Sequence, residues 1–124
     1  MTRRTERIAE QIRGELARLL REEVTDPRVG LVTLTRIDVA PDLSHAKVFW
    51  SSLDSVPHGR REASWALAEE TARGLDSAAG FLRSRLARVL TTRRVPELRF
   101  VHDASLEAGA ETLRLLREID RGEA

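Results

Sequence analysis

Six arginines crowd into residues 83–99 against one acid, Glu97, which gives this short segment a local net charge of +5. A guanidinium is planar, permanently charged and carries a fork of donors that fits phosphate oxygens. At about 100° per residue on a helix, Leu82, Leu86, Val89 and Leu90 share one sector, the one expected to be buried. Phe81, Arg85 and Arg88 share the opposite sector. An aromatic ring beside two guanidinium groups is a platform on which a base can stack while its phosphates are held. The plain alternative is that Phe81 packs into a neighbouring helix and the arginines are merely solvated; the residues alone leave both open. The step Ala78-Ala79-Gly80 just before this face also has two readings. Small residues let two helices meet closely at a bend, or they let an RNA backbone approach the amide groups of a helix start.

Other chemistries find little footing. There is no Cys, which excludes disulfides, thiolate nucleophiles and Cys-based metal sites. Neither a Walker pattern nor G-x-G-x-x-G occurs, so no glycine loop is available to cradle a nucleotide. His45, His58 and His102 fall on different elements, and His45 and His102 read as ordinary strand-end residues. The paired carboxylates Glu22-Glu23 and Glu69-Glu70 sit on Arg-rich helices, where solvated faces are the expected reading. No catalytic residue, metal, cofactor or small-molecule substrate is expected.

The whole chain of 124 residues carries a net charge of only +1, so an anionic partner is visible only locally. Residues 1–59 balance to zero, and the last 25 residues, 100–124, are net −3. A basic patch beside an acidic tail is an asymmetry that points to a nucleic-acid face. Twenty of the 21 basic residues are Arg and Asn is absent, a bias that gives Arg over Lys no functional weight in bulk. A chain of this length suits one domain, 1–124, and buries about two-thirds of its surface on folding. The longest run without a charged side chain is 29–35. That is far short of the roughly 20 apolar residues a membrane span needs, and with no apolar core near residue 1 no signal peptide is expected. A soluble, cytoplasmic protein with no membrane association is expected.

The elements that must position the arginines follow from periodicity. Residues 5–24 read as an amphipathic helix, with Ile8, Ile12, Leu16, Leu19, Leu20 and Val24 on one face and Thr2 or Thr5 as cap. Pro27 stops it. Residues 31–39 read as a strand whose alternation slips, Val32 and Leu34 pointing one way and Ile37 and Val39 the other; a bulge near Thr35-Arg36 reconciles them. A turn over 40–44 leads to a second strand, 45–53, with Ala46, Val48 and Trp50 inward and Lys47, Phe49 and Ser51 outward. After a loop over 54–59, the helical period runs over 60–90 through Ala63, Leu67, Thr71, Leu75, Ala78, Leu82, Leu86 and Val89. A straight helix of that length would span about 45 Å, so a break at Gly74 or, better, at Ala78-Ala79-Gly80 is expected. Trp65 lies off the stripe, either capping the sheet or partly exposed. A short third strand, 98–102, and a last helix over 105–124 complete the order, with Asp103 or Ser105 as cap, Leu106, Leu113, Leu116 and Ile119 as apolar edge, and a frayed tail. The fold class is α+β: a three-stranded sheet covered on one face by helices.

From about Arg7 to Ile119 the chain resembles bacterial ribosome-binding factor A. The likeness is carried in order by Glu23-Val24-Thr25-Asp26-Pro27-Arg28-Val29-Gly30, Val32-Thr33-Leu34-Thr35, Asp42-Leu43-Ser44-His45-Ala46-Lys47-Val48, Ala78-Ala79-Gly80-Phe81-Leu82-Arg83, Arg94-Val95-Pro96-Glu97-Leu98-Arg99-Phe100, and Asp103-Ala104-Ser105-Leu106 with Gly109. The resemblance implies a type II KH-like domain with a kinked second helix. The G-x-x-G turn of ordinary KH domains is absent; Ala78-Ala79-Gly80 stands at that joint, which favours a structured RNA surface over a single strand. The resemblance further implies a non-enzymatic factor of small-subunit assembly. Such a factor binds pre-subunits and their ribosomal RNA, and is associated with maturation of the RNA 5′ end and with growth in the cold. The RNA-binding residues it implies are Ala78, Ala79, Gly80, Arg83, Arg85, Arg88, Arg93 and Arg94. The longer polar tail of some relatives is not expected here. A KH-like module that binds an acidic protein partner is the second reading, and a small hydrolase the third and weakest, since its histidines are scattered. No coiled-coil seam demands a dimer, and a monomer is expected.

Overall fold

The computed structural model describes residues 2–30, 32–52, 61–92 and 94–103, with side chains in the second helix described from Ala68 onward. The expected loop 54–59, the side chains of Ala63, Trp65 and Leu67, and the expected last helix over 105–124 lie outside the described residues.

Helix α1 spans Arg3–Glu22 and buries Ile8, Ala9, Ile12, Leu16 and Leu19 along one side. Both candidate caps are used. The Thr5 amide donates to Thr2 Oγ1 at 3.3 Å and the Thr2 amide donates to Thr5 Oγ1 at 3.0 Å, so two amides that the helix leaves orphaned find partners. The helix ends before the proline, where the Glu23 and Val24 amides both donate to the Leu19 carbonyl. The connection that follows is pinned by Asp26, whose carboxylate accepts from the Arg28 amide at 2.9 Å and from the Arg28 guanidinium at 2.7 Å. Arg28 also donates to Ser77 Oγ at 3.2 Å, which fastens this connection to the second helix.

Strands β1 (Val32–Val39) and β2 (His45–Ser52) form an antiparallel hairpin, and β3 (Glu97–His102) adds to β2 in parallel, giving the order β1-β2-β3. The expected bulge is there. Leu34 pairs with Trp50 and Arg36 with Phe49, so Thr35 is the extra residue and both halves of β1 face the core. The hairpin loop places Leu43 at φ 61, a left-handed conformation costing a leucine about 1 kcal/mol or more. Its side chain is buried in the core, which offsets that cost. On β2, Ala46, Val48 and Trp50 are fully buried as expected, but so is Ser51, which alternates onto the face of Lys47 and Phe49. That outer face is therefore not open to water along its whole length.

Helix α2 runs from Arg61 to Val89 as one element of 29 residues. The step at Ala78-Ala79-Gly80 does not divide it into two helices: the backbone stays helical through it. Leu75, Leu82, Leu86 and Leu90 are buried in the same core as α1 and the inner face of the sheet, whereas Val89, expected inside, is 49% exposed. Four-residue steps advance by about 40°, so the buried line drifts from Leu82 through Leu86 to Leu90 and leaves Val89 outside. The second expected break, Gly74, is instead a contact point. A Cβ there would lie 2.8 Å from Val29 Cγ2, so the glycine lets the Asp26–Gly30 connection lie directly on α2. Helix α1 lies on β1, α2 on β3, and the two helices touch, so one face of the sheet is covered.

Candidate nucleic-acid interface

The second half of α2 presents the face that its periodicity requires. With Leu82 and Leu86 facing inward, Phe81 turns out and is 40% exposed. The Arg85 guanidinium carbon sits 5.2 Å from the Phe81 ring centroid, a cation–π arrangement that holds both groups at the surface. Arg88, one turn on, is exposed and makes no ion pair among the described residues. Arg85 reaches Glu23 at the end of α1, Nη1 to Oε1, at 3.9 Å. A partly exposed pair at that distance contributes at most about 1 kcal/mol, so a phosphate can displace it.

Ala78 packs against the core and Ala79 is half-buried, while Gly80 is exposed, with nothing within 4 Å of where its Cβ would be. Because the helix is continuous here, the amides of the step belong to a helix interior and are not the free amides of a helix start. One expected use of this step, phosphate binding by backbone amides, is thereby removed. The steric use remains, since Gly80 leaves a smooth spot beside Phe81 that no part of the described chain fills.

The other arginines divide. Arg83 donates to the Val95 carbonyl from Nη2 at 2.9 Å and from Nε at 3.3 Å, tying the segment after α2 back onto the helix. Its charge stays exposed, but its geometry is set by this structural bond. Arg93 lies outside the described residues. Arg94 is not beside Arg85 and Arg88; it lines a cleft of about 660 Å³ with Arg3, Arg4 and Arg7 of α1, over an apolar wall that includes Ile8 and Leu43. The sequence reading missed these three arginines because residues 1–59 sum to zero charge. A signal was present: Arg3, Arg4 and Arg7 fall within about 100° of one another on a helical wheel, whereas Glu6 and Glu10 line a different depression, beside Thr35 and Arg36. His45 and His102 cannot converge. They occupy opposite ends of the β2–β3 pairing, His45 against Glu97 and Trp50 against His102, and the His102 ring stacks on Trp50 at 4.5 Å.

A profile of the ribosome-binding factor A family matches residues 4–116. The chain belongs to the ribosome-binding factor A family. The factor from Dechloromonas aromatica is 46% identical over 113 residues, covering 91% of this chain and 84% of the relative. That from Nitrosomonas europaea is 47% identical over 115 residues, covering 93% and 91%. Among solved structures, ribosome-binding factor A from Thermus thermophilus superposes with a TM-score of 0.64 at 26% identity, covering 79% of this chain and 93% of that one. Family and fold thus agree with the α+β order of elements. Among the described residues, no helix is long and apolar enough to cross a membrane.

Proposed function

We propose that this protein is an assembly factor of the small ribosomal subunit. It binds pre-subunits through their ribosomal RNA in the cytoplasm, acts late in maturation of the RNA 5′ end and supports growth in the cold. Its contact surface is the outward side of α2 around Gly80, Phe81, Arg85 and Arg88, with Ala78, Ala79 and Arg83 on the same helix and Arg93 and Arg94 in the segment of chain that follows it. The observation that carries this reading is the exposed Phe81 ring under the Arg85 guanidinium, next to a mid-helix glycine that no contact among the described residues requires. A glycine inside a helix costs about 1 kcal/mol relative to alanine. Where internal packing does not require it, an external surface lying against the helix accounts for it.

The mechanism is thermodynamic rather than catalytic. A factor that binds one arrangement of the RNA more tightly than another shifts the population toward the first by its difference in affinity. Stacking on Phe81 and phosphate contacts from Arg85 and Arg88 supply such a difference only where the RNA is folded to meet both. The test is photochemical crosslinking to small subunits from cold-grown cells, mapped on RNA and on protein. Crosslinks are expected on ribosomal RNA and, in the protein, between Ala78 and Arg94. Crosslinks confined to ribosomal proteins, or to the β1 side of the molecule, overturn the reading and favour an acidic protein partner.

A further inference from the structure

We propose that the cleft between the start of α1 and the end of α2 is a second phosphate site, which grips the sugar–phosphate backbone of the RNA bound on α2. This inference rests on the reading of the protein as a ribosomal-RNA-binding factor.

Four guanidinium groups, Arg3, Arg4, Arg7 and Arg94, line this cleft, and none makes an ion pair among the described residues. Their placement runs against the local electrostatics of the fold. The N-terminus of a helix carries a partial positive charge, so cations in its first turns are unfavourable. Arg3, Arg4 and Arg7 all stand there. Locally unfavourable choices without an internal partner mark functional sites more often than errors, and a bound anion resolves this one: it meets the helix end and the guanidiniums at once. The nearest acids do not serve. Glu6 and Glu10 line the depression on the β1 side. Asp42 feels the charge of Arg94 but forms no ion pair with it among the described residues; its Oδ1 accepts from the Ser44 hydroxyl at 2.7 Å and the Ser44 amide at 3.0 Å.

The Thr92 hydroxyl donates to the Arg94 carbonyl at 3.0 Å, bracing the segment that presents Arg94. Gln11 and Thr91 add uncharged polar groups suited to phosphate or sugar oxygens. Continuity identifies the occupant. Arg85 and Arg88 lie on the outward face of α2, and the chain enters the cleft at Thr91, three residues past Arg88. A polyanion long enough to lie on the first face can extend to the second, as a continuous RNA backbone does and a single phosphate does not. The apolar wall and the four positive charges together do not suit a lone small anion, which fills none of the length between the two sites.

The test compares the full chain with the double variant R4Q/R7Q and with R85Q/R88Q, each titrated against purified small subunits over a range of salt. R4Q/R7Q is expected to weaken association roughly tenfold or more and to flatten the log–log salt slope by about 1.4, at about 0.7 per phosphate contact. It should melt no lower than the parent chain, because positive charge has been removed from the positive end of α1; a purely structural role predicts the reverse. If R4Q/R7Q binds with unchanged affinity and slope while R85Q/R88Q is weakened, the cleft proposal is overturned and the α2 reading stands. If the parent chain does not bind subunits, the functional reading itself fails and the cleft proposal falls with it. If the R4Q/R7Q effect persists on subunits stripped of accessible RNA by ribonuclease, the cleft's partner is an acidic protein surface and the proposal is again overturned.

Discussion

Asp26 shows how much one residue can organise. Its carboxyl is held down to about 2, chiefly by the Arg28 guanidinium and then by the Arg28 amide. The folded value lies below the ordinary 3.8, so this clamp contributes its stability fully above that value and loses it as pH falls from 3.8 toward about 2. Asp26→Asn should be less stable than the parent chain at neutral pH, and the two should converge as acid approaches pH 2, read from denaturant midpoints across the acid range. At this scale the sequence is legible where periodicity governs. The grouping of Phe81, Arg85 and Arg88 on one side of a helix follows from 3.6 residues per turn alone. The Arg3, Arg4, Arg7 and Arg94 cluster does not: its members lie near opposite ends of the described chain, and only the antiparallel approach of α1 to the end of α2 brings them together.

At the scale of elements, α2 carries two glycines with opposite roles. Gly74 meets Val29 Cγ2 and Arg28 Cβ, at 2.8 and 3.2 Å from an added Cβ, whereas Gly80 meets nothing within 4 Å. Gly74→Ala should therefore lose about 1 kcal/mol or more through overpacking, despite a better helix former. Gly80→Ala should gain about 0.5–1 kcal/mol. Urea unfolding of the two variants measures both, and equal effects would mean that the Asp26–Gly30 connection does not lie on α2. The bulge in β1 was legible because a slip in a two-residue alternation has few remedies. The continuity of α2 was not. Its length of about 45 Å argues for a break in a domain of this size, but a helix is limited by what its buried stripe packs against, and a helix interior tolerates a single glycine at modest cost. Val89 was misplaced for a related reason: a stripe drawn through every apolar residue ignores its drift around the helix.

For the whole molecule, charge is distributed rather than abundant. A net charge of +1 cannot hold random RNA strongly, so affinity must come from local clusters matched to the shape of a folded partner. The three-stranded sheet, one face under α1 and α2, serves as a rigid support that fixes the outward side of α2 relative to the start of α1. The order of elements was readable from the sequence because each has its own period. The surface was only half readable, because surfaces are assembled from segments distant in sequence. The most direct measurement of the central claim is co-sedimentation of the R85E/R88E variant with purified small ribosomal subunits, beside the parent chain and with matched thermal melts. The parent chain is expected to travel with the subunits and the variant, equally folded, to stay in the supernatant; a variant that sediments as fully as its parent rules out this face of α2 as the contact.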